Sequence, residues 1–423
     1  MAIAARINGQ WPLDVASDEI DLGSWEFWRR DDDYRDGAFA TLRRESPIRF
    51  FPELVRPGET PGAGHWALTR HGHIRFASRH PEIFSSSPSV EMTDPPAELV
   101  GYQTSMLVLD DPRHHRLRAL VSHAFTPKVL ARVQESINIR ARSLVSAMMK
   151  SHPDRAGEFV SEVAGPLPLQ VICDMMGIPE QDQARVFHWT NILSGFGDPE
   201  ITADIDEFFM ATTSLGEYGQ SLAESRRESG SDDLTTSLVN AEVDGERLTS
   251  EEIASFFILL VLAGSETTRN ALSLGLVALT RFPDQRQLWW DDIHGLRQTA
   301  VEEILRWTSP VRFLRRTLTR DIELDGISMS AGQKVTMWYA SANRDEAVFD
   351  NPWAFDLQRH PNPHFAFGGG GAHFCLGASL ARREIGAVFD ELHRQVPGIT
   401  VVGEPEPLLA ALIHGIKVLP VGW

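Results

Sequence analysis

Apolar residues recur every three or four positions along most of the chain and alternate in only a few short stretches, which predicts a mainly α protein with a small β-containing portion. Residues 33–44 carry the first helical pattern, and Pro47 stops it. Residues 48–51 and 65–69 read as short strands, and 71–78 return to helical spacing. Two amphipathic helices are predicted over 129–151 and 167–176, the second closed by Gly177, Ile178 and Pro179. Residues 187–198 break helical order with two glycines, as an interhelical turn or a roof over a pocket would; Leu193 and Phe196 lie there. The stretch 251–279 is apolar almost all round until Ala263, so this helix must run through the middle of the molecule. Residues 321–327 and 334–337 alternate as strands, 378–396 are helical, and 412–418 read as a hairpin. Residues 85–108 hold no sustained period; they form either a surface loop or a lid over a pocket that Val90, Met92 and Met106 would line.

Length and composition narrow this little. The 423 residues would fill two or three domains at ~150 residues each, yet the Pro- and Gly-rich stretches 56–64 and 87–96 are short and lie between patterned segments. One domain spanning 1–423 is the expectation. The net charge of −18 argues against nucleic acid as a partner and for solubility. Two distant cysteines, Cys173 and Cys375, make no disulfide framework, as in a cytoplasmic protein. Cys173 sits among Val171, Ile172 and Met175 and reads as core. Residues 1–12 lack the apolar centre of a signal peptide, and the longest apolar run, 253–264, is too short to span a bilayer.

The chemistry concentrates in three places. The first is the loop 364–377, where four glycines, Gly368 to Gly371, precede His373, Cys375 and a helix. Side-chain-free backbone can press against a large flat ligand, and free N–H groups at a helix mouth favour a thiolate. The phosphate-loop and dinucleotide patterns do not match, and a structural zinc site lacks ligands. Cys375 is then either an inert buried cysteine or an axial thiolate to haem iron. The second place is Ala263 to Asn270, where Gly264, Glu266, Thr267 and Thr268 interrupt an apolar helix at a cost that asks for a reason. Back-bonded threonines would explain it, and so would a notch for a small ligand. Third, His114 and Arg118 are four apart, on one helix face, and could grip one anionic group.

Phe367, Gly368, His373, Cys375 and Gly377 together resemble the cysteine-ligand loop of the cytochrome P-450 family. The common bacterial form has one residue fewer between Phe and Cys; the longer form resembles a smaller group acting on sterols and branched isoprenoid lipids. Residues 263–270 resemble the family's proton-delivery motif, with Ser265 where close relatives often carry Asn. Glu303 and Arg306, with 343–345 and 352–359, resemble its buried Glu-Arg clamp, which implies a structural role. The resemblance implies the P-450 fold, a triangular prism with haem b between a long central helix and the cysteine loop. It implies Cys375 as iron ligand, with Phe367 and Gly264 against the haem. Its propionates would be held by His114, Arg118 and Arg316, with Arg315 competing for the last place, and His373 would also bind the cofactor. Glu266 and Thr267 would handle protons, and Leu262, Ala263, Thr268, Val311, Phe313, Leu314 and Ile413 would line a substrate pocket. Arg113 and Arg116 would join a basic face for an acidic electron donor.

Residues 31–39, 187–191, 266–270 and 413–417 further resemble the branch of the family that hydroxylates methyl-branched lipids at the omega carbon. That resemblance implies O2 and a lipophilic small molecule as reactants, electrons from a ferredoxin and its reductase, and the sterol side chain as a further substrate. A peroxide-driven peroxygenase and a non-enzymatic haem or lipid carrier are the competing readings. Hydrogen peroxide would drive the first without a donor, and the second would yield no oxygenated product.

Overall fold

Helical spacing prevails where the apolar stripe can be buried on a neighbouring helix, and the computed structural model shows which stripes meet. It describes residues 12–55, 61–94, 105–122, 125, 127–195, 198, 201, 205–229, 231–243 and 245–423. The helices that position the site are α1 (Asp32–Glu45), α2 (His71–Arg79), α3 (Arg113–Ser122), α4 (Pro127–Ser151), α5 (Pro166–Met176), α6 (Glu180–Ser194), α7 (Ile205–Ser229), α8 (Ser250–Arg281), α9 (Arg297–Thr308) and α10 (Ala378–Gln395). A five-stranded sheet is built from β1 (Ile48–Phe51), β2 (His65–Leu68), β3 (Phe84–Ser85), β4 (Phe313–Leu318) and β5 (Lys334–Trp338), in the order β1-β2-β5-β4-β3. All its neighbours are antiparallel except β2 and β5.

Helix α8 is the axis of the fold. Its 32 residues make a rod ~48 Å long. Thr249 and Glu252 close a capping box at its start: the Thr249 hydroxyl accepts from Glu252 N at 3.2 Å, and the Glu252 carboxylate accepts from Thr249 N at 2.9 Å. Downstream, a Cβ added to Gly275 would meet Ile304 at 3.0 Å and Phe389 at 3.2 Å. That missing methyl lets α8 lie close against α9 and α10. One core cluster joins these three helices to α4 and α5 through Ile137, Val171, Leu272, Ile304 and Phe389. A second packs α8 under α5, α6 and α7 through Ile172, Leu193, Leu215 and Phe257, and takes in Cys173, whose thiol burial pushes up to about 12. The sheet carries a third and a fourth cluster, around Trp338 and Met337.

Three sequence expectations are corrected here. Helical order runs through residues 187–194 and breaks only at Gly195, because Val186, Ile192 and Leu193 keep α6 packed and the Thr190 hydroxyl donates back to Val186 O at 2.7 Å. Residues 321–327 are two strands, Ile322–Leu324 and Ile327–Met329, joined by a turn at Asp325 and Gly326, both at positive φ. Residues 412–418 supply one arm of a hairpin: Ile416–Val418 pairs with Glu406–Pro407. Among the described residues no helix is long and apolar enough to cross a membrane.

Candidate active site

Beneath α8 lies a cavity of about 1450 Å³, its mouth included. Its wall is mainly apolar, broken by His114, Arg118, Thr267, Thr268, His373 and Glu384, as in a pocket for a large hydrophobic group. Its floor is the loop 366–377 with the start of α10, its roof is Leu259, Leu260, Ala263, Gly264, Thr267 and Thr268 of α8, and Met106, Leu107, Val311, Leu314 and Tyr339 stand at its sides.

Cys375 faces into this cavity. Its own N–H donates to Phe367 O at 3.0 Å, which closes the loop under it. Burial pushes the thiol up; the N–H groups of Gly377 and Ala378 and the guanidinium groups of Arg118 and Arg382 pull it back. The helix-mouth donors expected from the sequence are in place, but in the chain by itself burial outweighs them. The glycines also do something unexpected. A Cβ on Gly369 would sit 2.4 Å from Ser78 Oγ, and one on Gly371, at φ +80°, would sit 2.3 Å from Ser78 O. These two positions press the loop onto α2, not onto the cavity, where Gly368 is the one of the four that lines the wall.

Four cation-forming side chains gather beside the floor. His114 is 2% exposed; its Nδ1 meets Asp111 at 3.1 Å, while its Nε2 is buried with no partner. The His373 ring lies 4.1 Å from the His114 ring, and its Nε2 is 3.0 Å from Ser86 Oγ. Burial, then Arg316, His114 and Arg118, push His373 down to about 3. Arg118 donates to Phe374 O at 2.6 Å. Arg316 is buried and donates to Arg315 O at 2.8 Å, whereas Arg315 is committed to Asp94 at 2.7 Å. Arg316 is therefore the arginine left to meet an anion. The orphaned His114 nitrogen and the paired arginines fit the two carboxylates of a haem.

On α8, Thr267 Oγ donates to Ala263 O at 3.1 Å and Ser265 Oγ to Val261 O at 2.7 Å. Glu266 is 6% exposed, accepts from Arg269 Nη2 at 2.5 Å and Asn270 Nδ2 at 2.9 Å, and is not part of the cavity wall. A Cβ on Gly264 would meet Ile172 at 3.2 Å, so the glycine admits α5 as well as opening the roof. Glu303 and Arg306 are wholly buried, 2.7 Å apart. Arg359, Asn362 and the Asp356 N–H complete the bonds of Glu303, and Arg306 donates to the carbonyls of Asn343, Pro352 and Ala354.

Of the expected wall residues, Met106, Ala263, Gly264, Thr268, Val311, Leu314 and Phe367 line the cavity. Met92 and Phe313 instead pack with Trp338 in the front core, since β4 turns Phe313 away from the cavity. Leu193 and Leu262 pack among the roof helices. The Val90 carbonyl is tied to Arg315 N at 2.7 Å, and Ile413 bridges Val311 from behind. Phe196 lies outside the described residues. Arg113 is half-exposed and paired with Glu252 at 2.9 Å. Sequence reasoning missed Tyr339, Ser86 and Glu384; the acid Glu384 inside the apolar stripe of α10 was the available signal.

Residues 202–392 match the family model described as Cytochrome P450. The chain is 61% identical over 422 residues to a methyl-branched lipid omega-hydroxylase of Mycobacterium tuberculosis, covering 100% of this chain and 99% of that protein.

The chain is a cytochrome P450.

A steroid C26-monooxygenase of Rhodococcus jostii is 39% identical over 390 residues, covering 91% of this P450 and 81% of the relative. A Mycobacterium marinum cytochrome P450 solved in complex with pseudoionone superposes with a TM-score of 0.92 at 42% identity, over 97% of this chain and 99% of that one. The mostly helical P450 fold expected from the sequence is thereby the fold observed. Family and relatives together make this P450 a monooxygenase, of a family that carries haem on a cysteine thiolate and acts on lipophilic substrates with O2.

Proposed function

We propose that this P450, acting as one domain over its whole length in the cytoplasm, hydroxylates the omega methyl of methyl-branched lipids. The observation that carries the substrate class is the 61% identity over 422 residues to an enzyme of that name. The 39% identity to a steroid C26-monooxygenase favours a sterol side chain as a second substrate. Electrons come one at a time from a ferredoxin served by its reductase.

Haem b, when bound, supplies the oxygen activation. Cys375 would hold its iron, His114, Arg118, Arg316 and His373 its propionates, with Phe367 and Gly264 against its faces. The protein's remaining work is positional. Met106, Leu259, Val311 and Leu314 exclude water and steer a chain end, because a terminal methyl is harder to attack than the methylene beside it and geometry must enforce the choice. Thr267 Oγ, now turned to Ala263 O, can rotate to donate into the cavity, with Glu266 behind it as a proton source.

The test is a titration of the oxidised haem protein with straight-chain, methyl-branched and steroid ligands, followed by the Soret spin-state shift. Branched chains are expected to bind at least about tenfold tighter than straight ones. Equal affinity would overturn the substrate assignment.

A further inference from the structure

A second, smaller cavity lies between α1, the end of α8 and His414, and no residue lines both it and the cavity over Cys375. Four arginines face it: Arg35 on α1, Arg281 at the end of α8, Arg312 just before β4, and Arg344. The carboxylates on its wall are two, Asp32 and Asp36. Asp32 meets Arg35 at 2.5 Å and reaches Arg312 at 3.9 Å, while Arg281 meets Asp33 at 3.9 Å. The two most buried guanidinium groups give most of their bonds to backbone: Arg312 Nη1 donates to Ala410 O and Ile413 O, and Arg344 donates to Arg306 O and Trp307 O. Burial, then the neighbouring cations Arg35 and Arg306, push Arg312 and Arg344 down to about 9, as expected where negative charge is too scarce. Thr308 Oγ and Arg344 Nε, on two further wall residues, are buried without a hydrogen-bond partner, a cost that a bound acceptor would relieve. Two of the stretches that resemble the lipid hydroxylases, 31–39 and 413–417, meet at this cavity, where His414 Nε2 lies 3.3 Å from Asp32.

We propose that this cavity is a second binding site, for a small oxyanion of the phosphate or sulfate class, and that its occupant steadies one wall of the lipid cavity. The link to lipid rests on the lipid-hydroxylase reading; the anion site does not. Guanidinium forks offer paired N–H donors that fit the oxygens of such an ion and that a halide cannot use. Asp32, the carboxylate that would oppose it, is turned to Arg35 and His414. The two cavities share a partition, residues 308–312. Thr308, Ser309 and Arg312 face the arginine side, and Pro310 and Val311 face the other. The end of the chain is fastened to the same partition: His414 N donates to Pro310 O at 2.8 Å, Arg312 N donates to Leu412 O at 2.8 Å, and Ile413 bridges Val311. An oxyanion gripped by Arg312 therefore holds the segment that carries Val311.

The experiment is a calorimetric titration of the haem-loaded, lipid-free protein with inorganic phosphate, against chloride at matched ionic strength. About one phosphate per chain should bind, and Arg35→Gln and Arg281→Gln, each removing one wall cation, should weaken it about tenfold. No heat above that of chloride, or the same affinity in both variants as in wild type, overturns the site. With phosphate bound, a methyl-branched lipid should shift the Soret band at about fivefold lower concentration. Equal lipid affinity in phosphate and in chloride overturns the role given to the partition. A protein that takes up no branched lipid under either condition sinks the lipid-hydroxylase reading, and the phosphate heat then decides the anion site separately. Should the arginine variants fail to load haem, Thr308→Val, which loses a hydroxyl and keeps its shape, carries the test: weaker phosphate binding supports the site, and wild-type binding overturns it.

Discussion

Thr267 keeps its hydroxyl proton on Ala263 O, a neutral backbone partner that costs little to leave. Thr267→Ala is therefore expected to fold and bind haem as wild type while diverting about half or more of its reducing equivalents to peroxide, read as product and peroxide per electron. Glu384 gives a second residue-level expectation. Its proton affinity is raised on folding, from 4.5 to about 8. The stability it contributes is whole below about 4.5 and is lost as the pH rises through about 8. E384Q should melt about 2 °C above wild type at pH 8 and level with it at pH 4.5, measured by thermal scans. Both threonines were legible in the sequence, because polar groups in an apolar helix announce a cost. What each one bonds to was not, since that depends on rotamers.

Between elements, Glu302 is the joint that matters for the cysteine loop. It accepts from Arg382 of α10 at 2.9 Å and meets His364 of the loop at 3.0 Å, and these partners hold it down to about 2 against its own burial. Its contribution is present above 4.5 and lost as the pH falls through about 2. Glu302→Gln should cost about 2 kcal/mol at pH 7 and about a quarter of that at pH 2.5, read from denaturant midpoints. Glu303 is more severe: Glu303→Ala strands Arg306 and Arg359 in the interior, an expected loss of about 3–5 kcal/mol that shows as failure to accumulate folded protein. At this scale the sequence was a partial guide. A spacing of three residues placed Glu303 and Arg306 on one face, but the partners drawn from residues 343–362 come from chain far along the sequence. Two of the motifs that resemble the lipid hydroxylases, in α6 and α8, likewise meet only in space: Asn191 accepts from Arg269, which holds Glu266. In a third, Gly415 lies so close that its Cβ would fall 2.8 Å from Asn270.

Across the whole molecule, most of the helices could be read because period survives burial on one face. The walls of the cavity could not. Phe313 and Val311 are two residues apart on neighbouring chain, yet one fills the front core and the other lines the cavity, and only the path of β4 decides which. The cavity also makes a prediction about the fold as a unit. A chain that leaves a largely apolar cavity beneath α8 and sets buried cations beside it is completed by what binds there. Haem-depleted protein should melt at least about 5 °C below the loaded form and regain the difference on adding haem, measured by calorimetry.

The contact between Ser78 and the glycine run has a mechanical side. At Gly371 backbone meets the Ser78 carbonyl, and at Gly369 it meets the small Ser78 hydroxyl, so neither position has room for a side chain. A methyl group at either position would have to part the helix from the loop that carries Cys375. Gly371→Ala should therefore loosen the seat of the cysteine loop, read as a lower melting temperature.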